Sequence, residues 1–196
     1  MKILVERQDL TIYTVGHSTR SIEEFIEILK VYNIALLIDM RAVPRSRHNS
    51  QFNKDTLSNI LKPCGIKYLS LPDIGGLRHP KKDSINLALG TSSFRGYADF
   101  MQTKEFTENL LKIIVLAKEN CLAIMCAEAL PWSCHRNLIS DALIVRRVRV
   151  LHIISKDSAL THQLNELAHV EGTKVSYPLF SPKKTSQRTL GDFGTV

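Results

Sequence analysis

Two cysteines, a glutamate, a histidine and an arginine fall together between positions 126 and 136, as Cys126-Ala127-Glu128 and then Cys134-His135-Arg136. A thiol near a helix start ionises more readily than a free one, and the thiolate is the reactive form. Histidine carries protons near neutral pH. Arginine grips carboxylates and phosphates with paired bonds, and Glu128 suits a general base or an arginine's partner. Spacing excludes several alternatives. A phosphatase-type C-x5-R loop needs arginine at 132, 140, 70 or 127, where the chain has Trp132, Ser140, Ser70 and Ala127. No C-x-x-C, G-x-G-x-x-G, Walker-type or H-E-x-x-H motif is present.

Three further clusters carry polar chemistry. Gly16-His17-Ser18-Thr19 offers a glycine for close backbone approach, two hydroxyls for an anion and a proton carrier. Asp39, Arg41, Arg45, Ser46 and Arg47 follow an apolar run, and positions 40 to 54 contain no acid. Asp39 is placed as a catalytic acid or an arginine's partner, and the arginines as an anion clamp. Arg78 follows Gly75-Gly76 in a third basic segment.

The elements that must position these residues alternate in type. Apolar runs at 11–16, 34–39, 67–71, 121–126 and 148–154 read as strands, several apolar on both faces. Between them, Ser21-Ile22-Glu23-Glu24 has the form of a capping box, and Asn53 stands before a short helical pattern. A long helix is expected over 97–118, and Ser133 is expected to cap another, which places Cys134 at its first position. A final helix is expected over about 158–170. The stretch 72–96 is long and irregular, as functional loops often are. The expectation is therefore a single domain over 1–196. Its core spans about 11–155, and a polar tail runs over 172–196. The fold class is α/β, three-layered and Rossmann-like, with about five mostly parallel strands and helices on both faces. In such sheets ligands bind beyond the carboxyl ends of the strands, and each polar cluster named above follows a strand.

The 196 residues are 44% hydrophobic and 23% charged, with a formal net charge of +7. This composition excludes disordered, collagen-like and disulfide-scaffold classes. No apolar run approaches the roughly 18 residues of a membrane span, and the first residues lack a signal-peptide core. The expectation is a cytoplasmic protein with no membrane partner. Its basic balance favours an anionic small molecule or nucleic acid as partner, and no cofactor is read from the sequence.

The set T-V-G-H-S-T (14–19), D-M-R-A-V-P-R-S-R (39–47), F-N (52–53), L-P-x-x-G-G (71–76) and C-A-E with C-H-R (126–136) resembles the domain of unknown function 488 family. The resemblance covers roughly 11 to 154. It implies an α/β domain of the prokaryotic cytoplasm without an assigned reaction. The motif residues it points to are His17, Ser18, Asp39, Arg41, Pro44, Arg45, Ser46, Cys126, Glu128, Cys134, His135 and Arg136. One departure is the Ala-Leu-Pro-Trp-Ser segment after Glu128, where family members carry a more acidic loop.

Three functions follow from these residues. The first is an enzyme on a phosphorylated or nucleotide-like substrate, with Cys126 or Cys134 as the thiol, His17 or His135 as the proton carrier, and Arg41, Arg45 and Arg136 holding the anion. The second is a nucleic-acid module using the basic loops. The third is a metal site of Cys126, Cys134, His135 and His17, against which adjacent Cys134 and His135 are expected to point to different sides.

Overall fold

The computed structural model describes residues 10–179. In chain order the elements are β1 (Thr11–Gly16), α1 (Ile22–Val31), β2 (Leu36–Asp39), α2 (Lys54–Leu61), β3 (Lys67–Ser70), α3 (Ser92–Phe100), α4 (Lys104–Glu119), β4 (Leu122–Cys126), α5 (Arg136–Ile144), β5 (Arg149–Ser155), β6 (Ser158–Thr161), β7 (His169–Glu171) and β8 (Lys174–Ser176). Six strands form one sheet in the order β3-β2-β4-β1-β5-β6. The first five run parallel, and β6 returns antiparallel on β5. This is the mostly parallel, helix-covered, Rossmann-like sheet expected, with one strand more than the sequence suggested.

Alternation along the strands sorts the core into two layers. Leu122, Ile124 and Cys126 of β4 face the side covered by α3, α4 and α5, with Tyr97, Leu110 and Leu138. Ala123 and Met125 face the other side, where Phe25 and Leu29 of α1 meet Leu57 and Leu61 of α2. All of β2 and β4 is buried, so both strands read as unbroken apolar runs. The edge strand β3 alternates between exposed and half-buried residues.

Registers align the carboxyl ends. Asp39 of β2 lies beside Met125, and Gly16 of β1 beside Cys126. The chain leaves β2 toward β3 and leaves β4 toward β5, on opposite sides of the β2–β4 junction. Such a parting of connections opens a crevice beyond the strand ends. It is the feature of the fold that positions the site.

Local signals account for most helix starts. Ser21 caps α1 by accepting from the Glu24 N–H at 3.1 Å, as the capping box requires. Asn53 stands at the start of α2, but its side chain accepts from the Ser46 N–H at 2.7 Å and so pins the basic loop instead. The single helix expected over 97–118 is two helices, α3 and α4. The chain turns at Met101–Thr103, and Thr103 caps α4 by accepting from the Phe106 N–H. Between β3 and α3, the irregular stretch is tied down by Asp99, which accepts from Lys81, Ser84 and Asn86.

The final helix expected over 158–170 is not formed. Residues 158–161 pair with β5 as β6, and residues 169–171 and 174–176 form a small ribbon. The exposed backbone edge of β5 satisfies this segment better than its own helical bonds would. Buried anchors fix the segment: His162 meets Asp141 of α5, which also accepts from the Asn165 N–H. Part of the tail expected over 172–196 is therefore structured through β8, and its remainder, from 180, lies outside the described residues. Beneath α5, a buried hydrogen-bonded chain joins Thr14, His152, His162 and Asp141. No helix among the described residues is long and apolar enough to cross a membrane.

Candidate active site

The crevice at the β2–β4 junction is a cleft of about 470 Å³. Its floor is built from the end of β4 and the loop that follows. Cys126 points toward the α3–α5 side by strand alternation. Residues Pro131–Ser133 then make a short 3-10 turn, Cys134 is extended, and His135 stands at the helix boundary. The expectation that Ser133 caps the helix is therefore corrected: α5 begins at Arg136, because the turn at Pro131 uses Ser133.

Cys126, Cys134 and His135 converge, with one donor atom from each lying within 4.8 Å of the others. The sulfur of Cys134 lies 3.6 Å from His135 Nδ1 and accepts from the Arg136 backbone N–H at 3.5 Å. The expectation that Cys134 and His135 diverge is thus corrected. The extended backbone at Cys134 turns its sulfur back over the start of α5. A hydrogen bond from Cys126, helped by His135 and Arg136 and opposed by burial, holds Cys134 well below the usual thiol range. The same bond, together with burial, pushes the Cys126 thiol well up. The His135 ring leans on Tyr97 at 4.9 Å, and its buried Nε2 has no hydrogen-bond partner. Gly76 faces the ring edge that carries Nδ1, where any side chain would collide.

The cleft walls come from three other segments. Arg41, Ala42 and Val43 follow β2; Gly76 and Leu77 come from the long loop; Thr91, Ser93 and Phe94 lead into α3. Glu128 and Ser133 complete the lining. The long loop therefore does supply site walls: Gly76 ends the L-P-x-x-G-G motif, whereas no motif singled out Leu77, Thr91 or Ser93. Their signal was only the unusual length of that loop.

The other candidates are distributed around this centre. His17 is buried against Phe52, with ring centroids 4.3 Å apart. Its Nδ1–H donates to the Ser18 carbonyl at 2.8 Å, and its Nε2 accepts from Arg41 at 3.1 Å. Burial pushes this imidazole down to about 4. Both nitrogens are occupied, so His17 is outside the donor cluster, contrary to the four-residue metal set. Asp39 accepts twice from the Arg41 side chain, at 2.9 and 2.6 Å, and from the Tyr68 hydroxyl at 2.6 Å. Arg41 also donates to the Phe52 carbonyl.

Gly16 permits the Glu128 carbonyl to lie directly against the backbone. The His17 and Ser18 N–H groups donate to the Cys126 and Ala127 carbonyls, extending the strand pairing into the loops. Thr19 is exposed. Arg136 is 0% exposed; it donates to the Glu128 and Ala129 carbonyls and to Thr14. It holds the loop from beneath and offers nothing to the cleft. Arg45, Ser46 and Arg47 line a separate polar recess with Asn53 and Thr56. Arg78 lies over the Phe100 ring at 3.7 Å and bonds the Gly75 and Asp73 carbonyls.

No curated protein and no solved structure matches the chain. A family model described as "Domain of unknown function DUF488" matches residues 21–143. That span holds Asp39, Arg41 and the whole Cys126–Cys134–His135 centre, while the Gly16–Thr19 segment lies before it. The match covers well over half of the chain, and the protein belongs to the DUF488 family.

Proposed function

We propose that the protein is an enzyme acting on an anionic, phosphorylated or nucleotide-like substrate in the cleft. The observation that carries this reading is the convergence of Cys126, Cys134 and His135 on the cleft floor, with Glu128 on its wall. Both sulfurs and the imidazole line the cleft as well as packing on the core. They suit chemistry: sulfur, imidazole and carboxylate groups gathered at one substrate position.

The walls support the substrate class. Val43, Leu77 and Phe94 give an apolar surface for a planar group, and Thr91, Ser93 and Ser133 give hydroxyls. Val43 and Leu77 are largely exposed and so are available to cover an apolar group in the cleft. Arg45 and Arg47 follow Val43 on the same loop and are free to meet a distal phosphate. Asp39, His17 and Arg136 act in this reading as positioning groups that hold Arg41 and the floor loop.

The test is a binding and turnover screen with nucleoside mono- and diphosphates, followed by phosphorus NMR. Saturable binding is expected, with turnover lost in Cys134→Ser. A Cys134→Ser variant that turns the substrate over unchanged overturns the assignment of the floor. Binding confined to polynucleotides, weakening steeply with salt, favours the non-catalytic module instead.

A further inference from the structure

The cleft floor lacks something its proposed substrate needs. Arg41 is committed to Asp39, His17 and the Phe52 carbonyl, and Arg136 to the loop carbonyls and Thr14. Arg41 spends most of its donors on these partners, and Arg136 is fully buried beneath the floor loop, away from the cleft lining. Yet two sulfurs and an imidazole nitrogen stand there together.

We infer that Cys126, Cys134 and His135 bind one divalent metal ion of the zinc class, with its fourth coordination position open to the cleft. This rests on the reading of the cleft as the active site, and it names the positive centre that receives the anionic group of the substrate.

Four observations carry it. The first is the donor set. Two thiolates and an imidazole select zinc-class ions over magnesium or calcium, and Cys2His with an open position is a known catalytic zinc set. The second is distance. A tetrahedral ion with metal–sulfur bonds of about 2.3 Å and metal–nitrogen bonds of about 2.0 Å sets S and N roughly 3.6 Å apart. Cys134 Sγ and His135 Nδ1 are 3.6 Å apart. The third is access. Cys134 is 3% exposed and Cys126 6%. A nucleophile must be reached by its substrate, whereas a ligand need be reached only by the ion. The fourth is the surrounding shell. The Arg136 N–H donates to the Cys134 sulfur, as second-shell donors do for thiolate ligands. Gly76 packs on the Nδ1 edge of His135 without a side chain that would displace the ring from Cys134.

Charge is consistent with this arrangement. Two thiolates and a divalent cation sum to zero, which suits a buried floor; two adjacent thiols without a cation cannot both ionise. Glu128, exposed on the wall, is free to take a proton from a molecule bound in the open position.

The experiment uses the full chain, purified without a polyhistidine tag. Metal content is measured by mass spectrometry after dialysis, and chelator-treated protein is titrated with zinc and with cobalt. About one ion per chain is expected, with a thiolate-to-cobalt absorption band of tetrahedral intensity. Metal content falls at least about tenfold in Cys126→Ser, Cys134→Ser and His135→Ala, and is unchanged in His79→Ala. Alkylation of Cys126 and Cys134 becomes fast only with chelator. The cobalt titration of the wild-type chain decides the matter even if a variant misfolds. No binding of either metal, with Cys134 alkylated without chelator, overturns the inference and leaves the enzyme reading standing. Full metal occupancy with no nucleoside phosphate bound overturns the substrate reading and leaves the metal site standing.

Discussion

Two buried clusters with histidines lie on the same side of the sheet, one beneath α5 and one at its start, and they differ in how completely their polar atoms are paired. Beneath the helix, Thr14 donates to His152 Nδ1 at 2.7 Å, and His152 Nε2–H donates to His162 Nδ1 at 2.9 Å. His162 Nε2–H then donates to Asp141 at 2.9 Å, and Tyr177 donates to the other oxygen at 2.6 Å. Asp141 can only accept, so it sets every proton position along the chain from its own end. At the start of α5, the sulfurs bond to each other, to backbone N–H groups and to the His135 ring, while the buried His135 Nε2 has no partner. The first cluster is complete without a ligand. The second has capacity left over. Histidine content does not separate the two; unused valence does.

The largest expected effect breaks the complete cluster. Asp141→Leu strands donors on His162, Tyr177 and Asn165. A loss of about 3–5 kcal/mol is expected in urea unfolding of the metal-free protein. A loss under about 1 kcal/mol would erase the distinction between the two clusters.

Acid acts more gradually, on His152 of this cluster and on His17 outside it. Burial holds His17 down to about 4 and, with His162 beside it, His152 down to about 3, against 6.5 for a free imidazole. As pH falls below 6.5, the unfolded chain takes up these protons before the folded one does. Stability is therefore full above about pH 6.5. It declines toward pH 4 and 3 by about 1.4 kcal/mol per pH unit for each proton, then levels off. Urea midpoints measured across this range give the slope, and a flat profile would mean that the two imidazoles are not held neutral.

The smaller effects sharpen the other side. Gly76→Ala displaces the His135 ring, and about 1–2 kcal/mol of stability is expected to go with it. Its metal affinity, read by cobalt titration, is expected to fall about tenfold. Cys134→Ser keeps an acceptor for the Arg136 N–H. It is expected to change metal-free stability by about 1 kcal/mol or less, even where it lowers turnover and metal binding in the assays above. A loss as large as that of Asp141→Leu would show that the sulfur is a packing group.

Much of the site was legible because strand ends and helix starts are local features. The Cys126–Glu128 and Cys134–Arg136 pieces fall at the ends of β4 and the start of α5, and parallel strands must gather them at one edge. The roles of His17 and Arg136 were not legible, because they depend on partners far away in the chain: Arg41 for one, and the Glu128 carbonyl and Thr14 for the other. The same limit explains the final segment. Residues 158–161 become a strand only because the edge of β5 is free to receive them, and His162 is fixed by Asp141 from a different element. The break between α3 and α4 was readable in principle. Thr103 carries the capping signal, and the apolar spacing on either side masked it.

The place of β1 in the sheet has a consequence for biosynthesis. It is made first of the strands, yet both its neighbours, β4 and β5, lie more than a hundred residues further along the chain. As a chain leaves the ribosome, β2 and β3 can pair early, while β1 waits with both edges bare. Pairings of such long range also fold slowly. Cys126 in the cleft floor therefore meets its neighbour Gly16 late. Until it does, the thiols at 126 and 134 are open to oxidants from which the finished protein shelters them.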